Sequence, residues 1–146
     1  MDENTHNPRH KRRSPEHVGF KDAPLGELRI GGRVWIEKEG ATYIAWGRVV
    51  LLEHIERSGS ISAAARSMGI SYRHAWLLVE QMNKLSLMPL VSAKKGGSKG
   101  GGASLTPYGK SVVQGFWLLV QKFESCLKEA SEDERLSSLL LPTLKT

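Results

Sequence analysis

Two short helical stretches meeting at Gly69, a glycine-rich basic hairpin after them and a long amphipathic helix beyond predict a mainly α fold with a small β-sheet. The arrangement is that of a winged helix-turn-helix with a long C-terminal dimerisation helix. The chain has 146 residues, 40% apolar and 25% charged. That length fits one domain, which buries roughly two thirds of the surface its unfolded chain exposes.

Residues 1–26 carry Pro8, Pro15, Pro24 and the basic run from Arg9 to Arg13, too little apolar content to pack, and are expected to form a disordered basic arm. Residues 27–130 are expected to be the winged domain with its C-terminal helix, and residues 131–146 a tail. Leu28, Ile30, Val34 and Ile36 alternate as in a half-buried strand ending near Gly40. Ile44, Leu51, Leu52 and Ile55 recur at helical spacing and mark a first helix that stops at Ser58 and Gly59, where glycine suits the left-handed conformation.

Ser60 or Ser62 caps a short helix closed by Gly69, whose Ala63, Ala64 and Ala65 let the next helix approach closely. Ser71 caps that third helix, which runs to Leu85. Leu90 and Val91 open a short strand, the stretch KKGGSKGGG forms a flexible tip, and a second strand ends at Leu105. Thr106 and Pro107 are an N-cap and first-position pair for the last helix. Its apolar stripe is wider than one packing face needs, so Val113, Phe116, Trp117, Val120, Phe123 and Leu127 are expected at the interface of a homodimer.

Charge singles out the middle of the chain. Residues 1–56 hold nine basic and nine acidic side chains, and residues 124–146 three and five. Residues 57–123 hold nine Lys or Arg against Glu80 alone, a net of +8 that exceeds the +6 of the whole chain. A basic block inside a folded domain is the electrostatic footprint of a polyanion-binding face, here double-stranded DNA. The third helix is the right size for the major groove, and the hairpin is a wing that reaches an adjacent phosphate.

Within that helix Tyr72, Ala75, Trp76, Val79 and Met82 share a face and are expected in the core, Trp76 as a packing anchor. Arg73, His74, Leu77, Gln81 and Lys84 remain for the surface. Arg73 suits guanine, His74 a base or phosphate, and Leu77 a thymine methyl. Ser71 sits where helix N–H groups face a phosphate, and Tyr72 beside it belongs to the same candidate interface. Lys94, Lys95 and Lys99 among the wing glycines find their natural partner in phosphate.

Other chemistries find little support. Gly109, Lys110 and Ser111 match the end of a phosphate-cradling loop, but the glycine it needs five residues earlier is Ser104. His54 and Glu53 have no nucleophile beside them, so no catalytic activity is expected. The lone Cys126 excludes a disulfide framework and is expected to pack as a small apolar residue, and the five histidines lack metal-ligand spacing; no metal or cofactor is expected. No apolar run approaches the roughly 18 residues of a membrane helix, and the polar start lacks a signal-peptide core, which leads us to expect a reducing, cytoplasmic location.

The motifs SISAAA, ISYRHAW, MN and GGGASLTPYG occur here in order. Together they closely resemble the N-terminal DNA-binding domain of the molybdate-responsive ModE-type regulators, itself similar to the LysR-type winged helix-turn-helix, over about residues 28–127. The resemblance implies a homodimer on a palindromic operator and regulation of molybdenum-related genes. In that family the domain precedes oxyanion-binding domains, which makes molybdate or tungstate the effector class to consider, although the sequence ends at Thr146, where such a domain would begin. Two rival readings use the same fold: a protein-interaction module docking through Leu136, Leu139, Leu140 and Leu141, and a non-specific architectural DNA binder.

Overall fold

A computed structural model describes residues 21–94 and 102–141. In chain order its elements are β1 (Ala23–Leu25), β2 (Leu28–Ile30), β3 (Trp35–Lys38), β4 (Ala41–Ala45), α1 (Trp46–Ser58), α2 (Ile61–Met68), α3 (Tyr72–Leu85), β5 (Val91–Ala93), β6 (Ala103–Leu105), α4 (Pro107–Ser131) and α5 (Glu134–Leu140). The strands pair as antiparallel hairpins β1–β2, β3–β4 and β5–β6. The fold is mainly α with small β-sheets, a helix-turn-helix followed by a wing.

The N-terminal region departs from the expected single strand. Gly31 and Gly32 interrupt the alternation, so Leu28 and Ile30 fall in one hairpin and Ile36 in the next. Ile44 belongs to β4, where it faces the core, and α1 begins only at Trp46. Residues 21–26 of the expected arm are ordered, with Ala23 and Leu25 buried in β1, which packs on α4, while residues 1–20 lie outside the described residues. At the other end the expected tail contains α5, whose N-cap Asp133 accepts from the Leu136 N–H at 2.8 Å. Leu141 then closes on the β1–β2 turn, where Gly26 leaves no room for a Cβ.

One core joins the helices to the root of the wing. Leu51, Leu52 and Ile55 of α1, Ala64 of α2, Ala75 and Met82 of α3, and Leu90 are fully buried. A large apolar side chain buried this way contributes about 2 kcal/mol. Ser60, one of the two serines considered, caps α2 by accepting from the Ala63 N–H, and Gly59 and Gly69 end their helices at φ 69° and 66°. Small side chains on α2 allow α3 to pack on it.

The stripe on α4 is divided differently from the expectation. Phe116 and Val120 are spent on the chain's own core, 1% and 3% exposed. Trp117 stacks edge-on against Trp46 at 4.8 Å and donates its indole N–H to Glu53 Oε1 at 2.8 Å, and Val113 packs on the same core. Of the six residues expected at the dimer interface, Phe123 is exposed and Leu127 half-buried. Cys126 is exposed, not packed, because it lies on the outward side of α4. Among the described residues no helix is long and apolar enough to cross a membrane.

Candidate nucleic-acid interface

The candidate interface is built on α3. Ser71 accepts from the His74 N–H at 3.1 Å, which fixes the first turn and still leaves the hydroxyl hydrogen as a donor. At the other end the Lys38 ammonium donates to the Leu85 carbonyl at 2.7 Å, and Tyr43 donates to Ser86 at 3.3 Å. The β3–β4 hairpin thus clamps the C-terminus of α3, where a cation also offsets the helix dipole.

Helical spacing sorts the side chains outside the core into three rows, of which Asn83 is half-buried. Arg73, Leu77, Glu80 and Lys84 run along the middle of the open face. His74 and Gln81 flank it towards α1, where Gln81 Oε1 accepts from Arg48 Nη2 at 2.9 Å. Tyr72, Trp76 and Asn83 flank it towards the wing. Arg73, His74, Leu77, Gln81 and Lys84 are therefore all on the surface, as the sequence suggests.

Trp76 and Tyr72, both expected in the core, are the corrections on this helix. Trp76 is 41% exposed and Tyr72 55%, with their rings 6.4 Å apart and inclined by 32°. Core packing stops at Ala75, Val79 and Met82 because α2 covers that side only, while the tryptophan's side opens onto the space before β5. That space is a groove of about 750 Å³ with Trp76, Glu80, Asn83 and Lys84 on one wall and Ser92 and Ala93 on the other. Helix α3 and the wing strand flank the same opening.

The wing is set against the helix by Asn83, which the sequence offered only within the MN motif and without a role. Its Oδ1 accepts from the Leu90 and Val91 N–H groups at 2.8 and 3.2 Å, and its Nδ2 donates to the Val91 carbonyl at 3.1 Å. A polar residue at helical spacing from Trp76, just ahead of a strand, was the signal available. Thr106 adds a hydroxyl bond to Pro89 O at 2.6 Å and caps α4 by accepting from Gly109 N–H at 2.9 Å. Gly109 lies against the Leu90 backbone, where an added Cβ would stand 2.1 Å from the carbonyl oxygen. The glycine that resembled a phosphate loop is a packing contact.

On the outer strand, Glu56 Oε2 accepts from the Leu105 N–H at 2.9 Å and Oε1 pairs with Lys110 at 3.1 Å. The backbone N–H first, and the ammonium second, hold the Glu56 carboxyl below its ordinary pKa. Burial pulls the Arg48 guanidinium below its ordinary value. Lys94 is exposed where β5 ends, and Lys95 and Lys99 lie outside the described residues. Among the described residues no group of three His, Cys, Asp or Glu could hold a metal ion.

The chain is 45% identical over 89 residues to the DNA-binding transcriptional dual regulator ModE of Escherichia coli (strain K12), 61% of this chain and 34% of that protein. It is 38% identical over 104 residues to the molybdenum transport protein ModE of Azotobacter vinelandii, 71% of this chain and 38% of the relative. Over that stretch the chain resembles the ModE-type regulators. A molybdenum-pterin-binding protein of Rhodobacter capsulatus, MopB, is 49% identical over 88 residues, 60% of this chain and 32% of its own. The chain thus spans about a third of the length of these ModE-like relatives. No protein-family model matches it.

Proposed function

We propose that this protein regulates transcription by binding a specific duplex operator as a homodimer, that the genes it controls serve molybdenum transport or molybdoenzymes, and that it acts in the cytoplasm without catalysis. The observation that carries the reading is the groove in which Trp76, Glu80 and Lys84 of α3 stand opposite Ser92 and Ala93 of the wing strand. A relative named a DNA-binding transcriptional regulator and one named a molybdenum transport protein support the same reading.

In this reading α3 enters the major groove. Arg73 pairs bidentately with guanine, Leu77 meets a thymine methyl, and His74 donates to a base or phosphate. Ser71, Lys84 and Lys94 take phosphates, the partner the sequence also gives Lys95 and Lys99. Trp76 and Tyr72 face the strand between helix and wing. The dimer forms through the outer side of α4 and α5, where Leu118, Leu139 and Leu140 are 54%, 71% and 50% exposed. No described residue is assigned to molybdate or tungstate.

The test is a titration of the purified chain with duplexes selected from a random pool, repeated across salt concentrations. Binding should fall linearly on logarithmic axes, by about 0.9 per phosphate contacted. Absence of duplex binding at low salt overturns the reading, and equal affinity for selected and random duplexes replaces it with non-specific binding. Sedimentation at micromolar concentration should give twice the 16.2 kDa of the chain.

A further inference from the structure

The α1 flank of α3 holds a contact between residues 33 positions apart in sequence. Arg48 lies half-buried in the first turn of α1 and donates through Nη2 to Gln81 Oε1 at 2.9 Å. Its Nη1 is shielded from solvent and finds no partner among the described residues. No carboxylate pairs with it there either, the ion pairs of the described residues being Arg29 with Asp22 and Lys110 with Glu56. Gln81 is the hydrogen-bond partner of this cation's side chain.

A guanidinium carries donors and no acceptor, so a glutamine amide meets it only through its oxygen, however the two amide ends are drawn. The bond is charge-assisted, which holds the oxygen towards Arg48 and turns the NH₂ group away from it. An unrestrained glutamine recognises adenine by using both ends, accepting from N6 and donating to N7. The Gln81 oxygen keeps a second lone pair, but Arg48 fixes it on the α1 side, so the end of the amide turned from α1 is the NH₂ group, and the edge that accepts at two adjacent atoms is that of guanine, N7 and O6.

We propose that Arg48 is a specificity-determining residue of the interface: by holding the Gln81 oxygen it converts Gln81 from a reader of adenine into a donor that selects guanine. The inference rests on the reading of α3 as the base-contacting helix. Arg48 acts through Gln81, and its own contribution to affinity is secondary.

Site selection from a randomised duplex pool tests it with the full chain. The position read by Gln81 is the one whose preference disappears in Gln81→Ala. Wild type should retain guanine there. Arg48→Met, which keeps the aliphatic stem and removes the donors, should move the guanine-to-adenine ratio at that position about tenfold towards adenine and leave the other positions unchanged. Arg48→Lys, which keeps a donor, should retain guanine. An unchanged preference in Arg48→Met, adenine in the wild type, or a selection profile indifferent to Gln81→Ala overturns the proposal. If Arg48→Met does not fold, as its circular dichroism will show, the wild-type, Gln81→Ala and Arg48→Lys profiles decide by the same criteria. A wild type that enriches no sequence overturns the operator reading itself, a separate outcome.

Discussion

The root of the wing and the open face of α3 line one groove, yet they are held in opposite ways. At the root, the Leu90 and Val91 N–H groups and the Val91 carbonyl are tied to Asn83, the Leu90 carbonyl accepts from the Thr106 N–H at 2.9 Å, and Leu105 is tied to Glu56. On the open face, Arg73 and Lys84 make no side-chain hydrogen bond or ion pair among the described residues. The difference teaches that position and recognition are assigned to different side chains. Groups that place the backbone are satisfied internally, and groups left in water are the ones a ligand can engage at little internal cost.

Substitutions at the root should therefore damage folding first, and those on the open face should damage binding alone. The largest effect is expected for Gly109→Ala, which forces a methyl into the Leu90 carbonyl and should cost about 3 kcal/mol in denaturant unfolding. Asn83→Ala leaves two amides and a carbonyl of the wing root without their partner and should cost about 2 kcal/mol of stability. In the portion that remains folded, loss of wing placement should also flatten the salt dependence of DNA binding.

Arg73→Ala should leave the unfolding midpoint within about 0.5 kcal/mol of wild type while costing about 1–3 kcal/mol of operator affinity and relaxing the sequence preference. Lys94→Ala should weaken all duplexes alike and lower the logarithmic salt slope by about one. If either variant unfolds the protein, the division between root and face is wrong.

The smallest effect concerns acidity. Because the Glu56 carboxyl titrates below its ordinary value in the folded chain, its contribution to stability is present above the unfolded pKa and disappears as pH falls through the folded one. Thermal melting of wild type against Glu56→Gln between pH 7 and 3 should show a steeper acid loss in the wild type.

Much of this was legible along the chain because it is local. Ser60, Ser71 and Thr106 cap their helices, Gly59 and Gly69 end theirs, and the lysine-rich stretch falls between two strands, all within a few residues of the cause. Arg73, His74, Leu77, Gln81 and Lys84 were placed on the surface by periodicity alone. Trp76 was misplaced by the same periodicity, since a repeat tells which residues share a face and not how far the neighbouring element covers it. Phe116 and Val120 went astray conversely: a stripe wide enough for two partners was met by α1, the wing root and β1 of the same chain.

What the amino-acid order determined by itself was the succession of elements, their ends and the concentration of cationic side chains in the middle of the polypeptide, because capping, turn conformation and charge act over short separations along the backbone. Only tertiary structure decided that Asn83 binds the strand root, that Glu56 meets Leu105 from 49 residues away and that Arg48 reaches Gln81. Those contacts depend on how α1, α3 and the hairpin pack in three dimensions, and no local pattern encodes that geometry.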